Sequence, residues 1–189
     1  GDLRPGEWLV VHGCGGVGLS AVMVGAALGA RVLAVDVKDD ALTMARDLGA
    51  TAVLNVTGID DVGAAVRDMT DGGAHVSVEA LGVTATFENS VRSLRKLGRH
   101  VQIGMPLGRH ETVSLPLLEL VYSRQISIAG SRGMAARRFD ALFGMIAGGR
   151  LDISRLVTGR IALGQAEAAL RAMDDFQGAG VTVITDFTR

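Results

Sequence analysis

The sequence predicts an α/β protein: a doubly wound, six-stranded parallel sheet with helices on both faces and a C-terminal helix/strand tail. Three observations carry that prediction. Short β-branched runs alternate with helical stretches through the first two-thirds of the 189 residues, the order a parallel sheet needs because each crossover carries a helix. The strand-like runs Glu7 to His12 and Arg31 to Asp36 are almost wholly apolar between their ends, as strands covered on both faces are. Leu28-Gly29-Ala30, Leu48-Gly49-Ala50 and Leu97-Gly98-Arg99 each place a glycine where a helical run closes and a strand opens, and glycine accepts the left-handed conformation that caps a helix.

In chain order, the candidate strands are Glu7 to His12, Arg31 to Asp36, Ala52 to Val56, His75 to Ala80, Arg99 to Gly104 and Gln125 to Gly130. Helices are predicted over Val17 to Leu28, Asp39 to Leu48, Asp60 to Thr70, Thr84 to Leu97 and Leu115 to Tyr122. Asp39 or Asp40 suits the N-cap of the second helix, and Asp60 that of the third. After Gly130 the texture changes: an amphipathic helix over Met134 to Ile146, a strand from Arg155 to Leu163, a helix from Gln165 to Phe176 and a last strand from Val181 to Thr185. The chain therefore divides into a sheet domain at 1–130 and a tail at 131–189, which is short for a core of its own.

Composition narrows the function. With 48% hydrophobic and 21% charged residues the chain is globular, and a net charge of −1 with 4% aromatic residues argues against nucleic-acid binding. The single cysteine, Cys14, cannot form an internal disulfide or a cysteine zinc cage, which suits a cytoplasmic location. Trp8 to Ala30 carries no Asp, Glu, Lys or Arg, yet its central glycines read as strand, turn and helix rather than as a membrane span.

The segment from Val10 to Gly18 holds G-x-G-x-x-G as Gly13, Gly15 and Gly18 between a predicted strand and a predicted helix. Gly13 permits the sharp turn, Gly15 lets the backbone approach a pyrophosphate, and Gly18 lets the helix lie close to the strand. The helix N-terminus then offers free N–H groups and partial positive charge to phosphates. Asp36 ends the second strand 18 positions after Gly18, where a carboxylate accepts hydrogen bonds from the adenosine ribose and repels a 2′-phosphate. The cofactor expected is NAD(H) rather than NADP(H), in the Rossmann manner. Lys38, two positions on, reads either as an exposed charge or as a contact on the ribose edge.

Gly6 to Ser20, then Ala27 to Ala30, Val35-Asp36 and Leu48 to Thr51, resemble the coenzyme domain of the zinc-dependent, medium-chain alcohol dehydrogenases. The resemblance continues through Val76 to Gly82, Leu97 to Arg99 and Val101 to Pro106. It implies that Gly15, Gly16 and Val17 meet the pyrophosphate, Asp36 and Val37 the adenosine, and Ala80 and Leu81 the middle of the cofactor. Ile103, Gly104 and Met105 would lie on the nicotinamide side, and Ile128 to Gly130, with Ala129 at its centre, would touch the carboxamide and pair subunits.

The departures from that family set further expectations. Its zinc ligands lie in an N-terminal domain with no counterpart in these residues, and no catalytic or metal-holding residue is expected here. His12, His75, His100 and His110 show no ligand spacing. The stretch Ala179 to Ile184 also lacks the arginine that some members turn toward the pyrophosphate. The resemblance thus implies the NAD(H)-holding part of an oxidoreductase that passes hydride between an alcohol or aldehyde and NAD, not competent alone. Two alternatives stay open, a non-catalytic NAD-sensing module and an S-adenosylmethionine-dependent methyltransferase. A short-chain dehydrogenase is disfavoured, because Ile126 rather than lysine follows Tyr122 by four.

Overall fold

All five residues of the first strand, β1 (Trp8–His12), are buried, and alternate side chains feed two different cores. A computed structural model of the chain describes residues 1–133, 135–174 and 178–188. Leu9 and Val11 pack with Leu19 and Val22 of α1 (Gly16–Ala27) and Ala41 and Leu42 of α2 (Asp39–Asp47). Trp8 and Val10 pack on the other face with Val62 and Val66 of α3 (Val62–Met69) and Val91 of α4 (Thr84–Arg92). Period-two alternation thus buries both faces, and each fully enclosed Val or Leu contributes roughly 1.5–3 kcal/mol.

The sheet is completed by β2 (Arg31–Asp36), β3 (Ala52–Asn55), β4 (Ala74–Glu79), β5 (Leu94–Gln102) and β6 (Ser127–Gly130). Its order is β3-β2-β1-β4-β5-β6, and every pairing is parallel. The expected doubly wound sheet is the one found. The order reverses between β1 and β4, and the C-terminal ends of those strands flank the crevice where this topology binds ligands.

Beyond the sheet, α5 (Phe139–Ala147), β7 (Val157–Ala162), α6 (Ala166–Asp174) and β8 (Val181–Asp186) form the C-terminal part. Strands β7 and β8 pair with each other, in parallel. Leu151 and Leu156 are buried in the core that holds α1 and α2. Of the expected helices here, Met134 and residues 175–176 lie outside the described residues. No helix among the described residues is long and apolar enough to cross a membrane.

Several local expectations are corrected. The helix expected to run to Leu97 stops at Arg92, because the Ser93 hydroxyl turns back onto the Ser90 carbonyl at 2.7 Å and the chain then pairs Leu94 with Ala74. Gly29 and Gly49 take the left-handed conformation after their helices (φ +82° and +106°), whereas the third repeat caps no helix: it lies within β5, and there Leu97 rather than Gly98 is left-handed, with φ +62°. Gly98 is needed there for space, since a Cβ would sit 2.9 Å from the Arg95 carbonyl oxygen. The N-cap of α2 is Lys38, with Asp39 and Asp40 in the first turn. Asp61 rather than Asp60 caps α3, accepting from the Ala64 N–H at 2.8 Å. Gln125 has φ +51°, which keeps it out of β6.

Candidate functional site

The glycine loop turns directly out of β1. Gly13 has φ +91° and donates its N–H to the Val35 carbonyl at 2.9 Å, which bends the chain over the end of β2. A Cβ on Gly18 would overlap the Gly13 carbonyl oxygen, so the first turn of α1 rests on the loop because position 18 has no side chain. Gly15 caps α1 with extended backbone and no side-chain hydrogen bond. No acidic residue occupies that first turn, so its N–H groups and the positive end of the dipole face outward.

Asp36 clasps this loop. One carboxylate oxygen accepts the Cys14 N–H at 2.6 Å, and the other accepts the N–H groups of Val37 at 2.7 Å and Lys38 at 3.0 Å. The Cys14 thiol faces inward toward the Val35 carbonyl at 3.8 Å. Burial, with the Asp36 charge adding to it, pushes that thiol up to about 12, so it is neither a nucleophile nor a metal ligand.

Around the loop lies a cavity of about 510 Å³. Of the residues expected from the sequence, Gly13, Gly15, Gly16, Val17, Asp36, Val37, Lys38, Ala80 and Leu81 line it. Gly18 lies beneath the loop. Ile103 packs against the α1/α2 core, and Gly104 donates its N–H to the Glu79 carbonyl at 2.9 Å. Met105 is 65% exposed, and Ala129 is exposed on edge strand β6. None of these five lines the cavity.

The turn after β4 is shaped by Glu79, which is fully buried. One of its carboxylate oxygens accepts from the N–H groups of Leu81 (3.0 Å) and Gly82 (2.8 Å) and from the Thr86 hydroxyl (2.6 Å). Gln102 donates to the other oxygen. Ala80 and Leu81 are thereby fixed at the cavity's edge.

Sequence reasoning missed three parts of the wall. His12 lines the cavity beneath the loop, and Thr86 and Asn89 of α4 line it from the side. Across from them stand Ala169, Ala172 and Met173 of α6 with Gly178, Ala179, Gly180 and Thr182. The Gly180 carbonyl would lie 2.8 Å from a Cβ on Gly16, so the chain just before β8 packs directly on the glycine turn. Among the described residues, those reaching the site from this side are uncharged, and all but Met173 are small. A buried histidine ending an apolar strand was the one available signal; the rest of the wall depends on contacts across most of the chain.

A dinucleotide fits this donor set, with phosphates at the Gly15–Val17 amides and a ribose beside Asp36. A zinc ion does not fit: among the described residues no group of three or more His, Cys, Asp or Glu is placed to hold a metal. His75 accepts the Trp8 N–H at 3.1 Å, and His110 accepts the Thr84 N–H at 3.2 Å. His12 and His100 are locked in a buried network.

Comparison with known proteins gives a consistent picture. The family model described as zinc-binding dehydrogenase matches residues 16–148. An alcohol dehydrogenase of Geobacillus stearothermophilus is 35% identical over 128 residues, 68% of this chain and 36% of that protein. A probable D-xylulose reductase A of Aspergillus clavatus is 30% identical over 182 residues, 94% of this chain and 50% of that protein. Among solved structures, an NAD-dependent alcohol dehydrogenase superposes with a TM-score of 0.87 at 29% identity, covering 98% of this chain and 52% of the other. The chain thus spans about half the length, or less, of the relatives it matches. These likenesses do not favour the methyltransferase or the sensing module.

Proposed function

We propose, because the chain belongs to the zinc-binding dehydrogenase family, that it holds NAD(H) for an oxidoreductase acting between an alcohol and its aldehyde or ketone. The observation that carries this reading is the Asp36 clasp on the Gly13–Gly18 loop beside the 510 Å³ cavity. Residues 1–130 form the dinucleotide domain and 131–189 the tail. In the complete enzyme the bound nicotinamide supplies the hydride acceptor or donor.

The residues of this chain have separate tasks in that reading. The amides of Gly15, Gly16 and Val17 take the pyrophosphate, and Gly18 keeps the helix close enough for them to do so. Asp36 accepts from the adenosine ribose with the one lone pair left over from its three backbone donors, and its charge repels a 2′-phosphate. Val37 flanks the base, Lys38 lies at the ribose edge, and Ala80 and Leu81 border the middle of the cofactor. The backbone of Ile103, Gly104 and Met105 faces the nicotinamide when the cofactor extends past the turn after β4, with Ala129 near the carboxamide. The reading includes a cytoplasmic location, pairing of two copies through β6, and zinc held outside these residues.

Calorimetric titration with NADH, NADPH and S-adenosylmethionine tests it. Binding of NADH, at least roughly tenfold weaker binding of NADPH, and no heat with S-adenosylmethionine are expected. Absence of NADH binding overturns the reading. The chain by itself is expected not to oxidise simple alcohols, and turnover at ordinary dehydrogenase rates would place the chemistry within these residues.

A further inference from the structure

A buried polar chain runs along the α3/α4 side of the sheet, and both of its ends reach the cavity. His12 Nε2 lies 3.3 Å from Ser93 Oγ. Ser77 Oγ lies 3.2 Å from Ser93 Oγ and 2.7 Å from Ser90 Oγ. Ser90 Oγ is 2.9 Å from His100 Nδ1, and His100 Nε2 is 3.2 Å from Gln102 Oε1. Gln102 donates to Glu79, which accepts from Thr86. His12, Ser77, Glu79, Ser90, Ser93 and His100 are each 2% exposed or less, while His12 and Thr86 also line the cavity.

The proton positions follow from the groups that can only accept. The Gln102 amide nitrogen donates to the Glu79 carboxylate and, at 2.8 Å, to the Gly104 carbonyl, which turns its oxygen toward His100. His100 therefore carries its proton on Nε2, and its Nδ1 accepts from the Ser90 hydroxyl. At the other end, the Ser93 hydroxyl proton goes to the Ser90 carbonyl at 2.7 Å. Ser93 thus offers His12 only lone pairs, so His12 Nε2 donates to it. What remains on His12 is a bare lone pair at Nδ1, with no hydrogen-bond partner among the described residues. That atom is also not among those sealed in the core without a partner, where only the Trp8 indole nitrogen is found among the described residues. His12 lines the cavity, so a ligand there is the partner open to that lone pair.

We propose that His12 is a specificity-determining residue for the base of the dinucleotide, its Nδ1 accepting a hydrogen bond from the exocyclic amino group of adenine. The inference rests on the NAD(H) reading above. Besides His12 the cavity is lined by Val35, Val37, Val56, Val62 and Leu81, with Thr86 and Asn89 of α4, a largely apolar wall on which a flat base can rest. A lone pair that can only accept, set in such a wall, selects a donor. Adenine presents an amino group at its 6-position, whereas hypoxanthine presents an oxygen whose lone pair would meet that of His12, leaving two buried acceptors unpaired. Burial, with His100 beside it, holds His12 down to about 3, so the imidazolium that could donate to that oxygen is not formed near neutral pH.

The test is calorimetric titration of the whole chain with NADH and with its deamino analogue, reduced nicotinamide hypoxanthine dinucleotide, in wild type and in His12→Phe. Wild type is expected to bind NADH at least roughly tenfold more tightly than the analogue, and His12→Phe to bring the two within about twofold by weakening NADH. Phenylalanine keeps the ring volume, and Ser93 keeps its bond to Ser90. Equal affinities in wild type overturn this inference and leave the NAD(H) reading standing; failure of wild type to bind either dinucleotide overturns both. If thermal unfolding shows that His12→Phe does not fold, nitrogen-15 spectra of wild type decide. The Nδ1 resonance is expected to move upfield with NADH and not with the analogue, and an Nδ1 resonance unmoved by NADH overturns the inference.

Discussion

The backbone N–H of Cys14 donates to the carboxylate of Asp36 at 2.6 Å, tying the middle of the glycine loop to the end of the neighbouring strand. Asp36 therefore does two things at once: it holds the loop in shape and leaves one lone pair for a ligand in the cavity it lines. Asp36→Ala is expected to weaken NADH binding by about 1.5–3 kcal/mol, the range for a hydrogen bond to a charged group. The same substitution frees three backbone donors, so the thermal midpoint should fall too, by about 2–4 °C for each kcal/mol lost. Titration and scanning calorimetry measure the two effects separately, and a fall in affinity with no fall in midpoint would show that the clasp does not support the loop.

Gly18→Ala places a methyl group against the Gly13 carbonyl oxygen, a backbone atom that cannot swing aside. A loss of at least about 1–3 kcal/mol of stability is expected, read from the urea midpoint. NADH affinity should fall as well, because relief comes only by lifting the helix start away from the loop.

Cys14 should resist alkylation. Its side chain is 1% exposed and its thiol is pushed up to about 12, so almost no thiolate exists at pH 8. Iodoacetamide followed by mass spectrometry should show labelling only after the chain is unfolded in urea.

Acid should weaken the fold from near pH 6.5 downward. His12 is held neutral to about 3 against an ordinary 6.5, and burial lowers His100 and His75 in the same direction. Between those values the unfolded chain binds a proton that the folded chain refuses, so stability rises with pH through the window and is complete above it. His12 alone accounts for about 2 kcal/mol lost by pH 5. Urea denaturation at pH 7 and pH 5 measures the loss, and His12→Phe should make it smaller.

Strand β6 is an exposed edge, with Ile128 at 43% exposure, and an edge of this kind pairs readily with another strand. Sedimentation should find a dimer for the wild-type chain and a monomer for Ile128→Lys.

The elements legible in the sequence are those fixed by neighbours in the chain. The loop from Gly13 to Gly18 and the strand-end Asp36 could be read because their spacing and the β-α-β frame are local. The end of α4 was misread because Leu94 and Leu97 continue a helical spacing, while the bond from the Ser93 hydroxyl to Ser90 that stops the helix follows no period. His12 carried a signal, a polar residue on the parity of Trp8 and Val10, but its partners Ser93 and Ser77 lie far along the chain. The α6 wall and Gly180 were illegible for the same reason: amphipathic spacing tells which face of a helix is buried, not against what.

The packing of Gly180 on Gly16 also gives the protein an order of assembly. The phosphate turn takes shape from residues within a few positions of one another, whereas its outer wall waits for a contact spanning most of the chain, the kind that closes late. Refolding is therefore expected to complete the sheet before the cavity is walled on this side. Recovery of NADH affinity, timed against recovery of secondary structure, follows the arrival of the last strand.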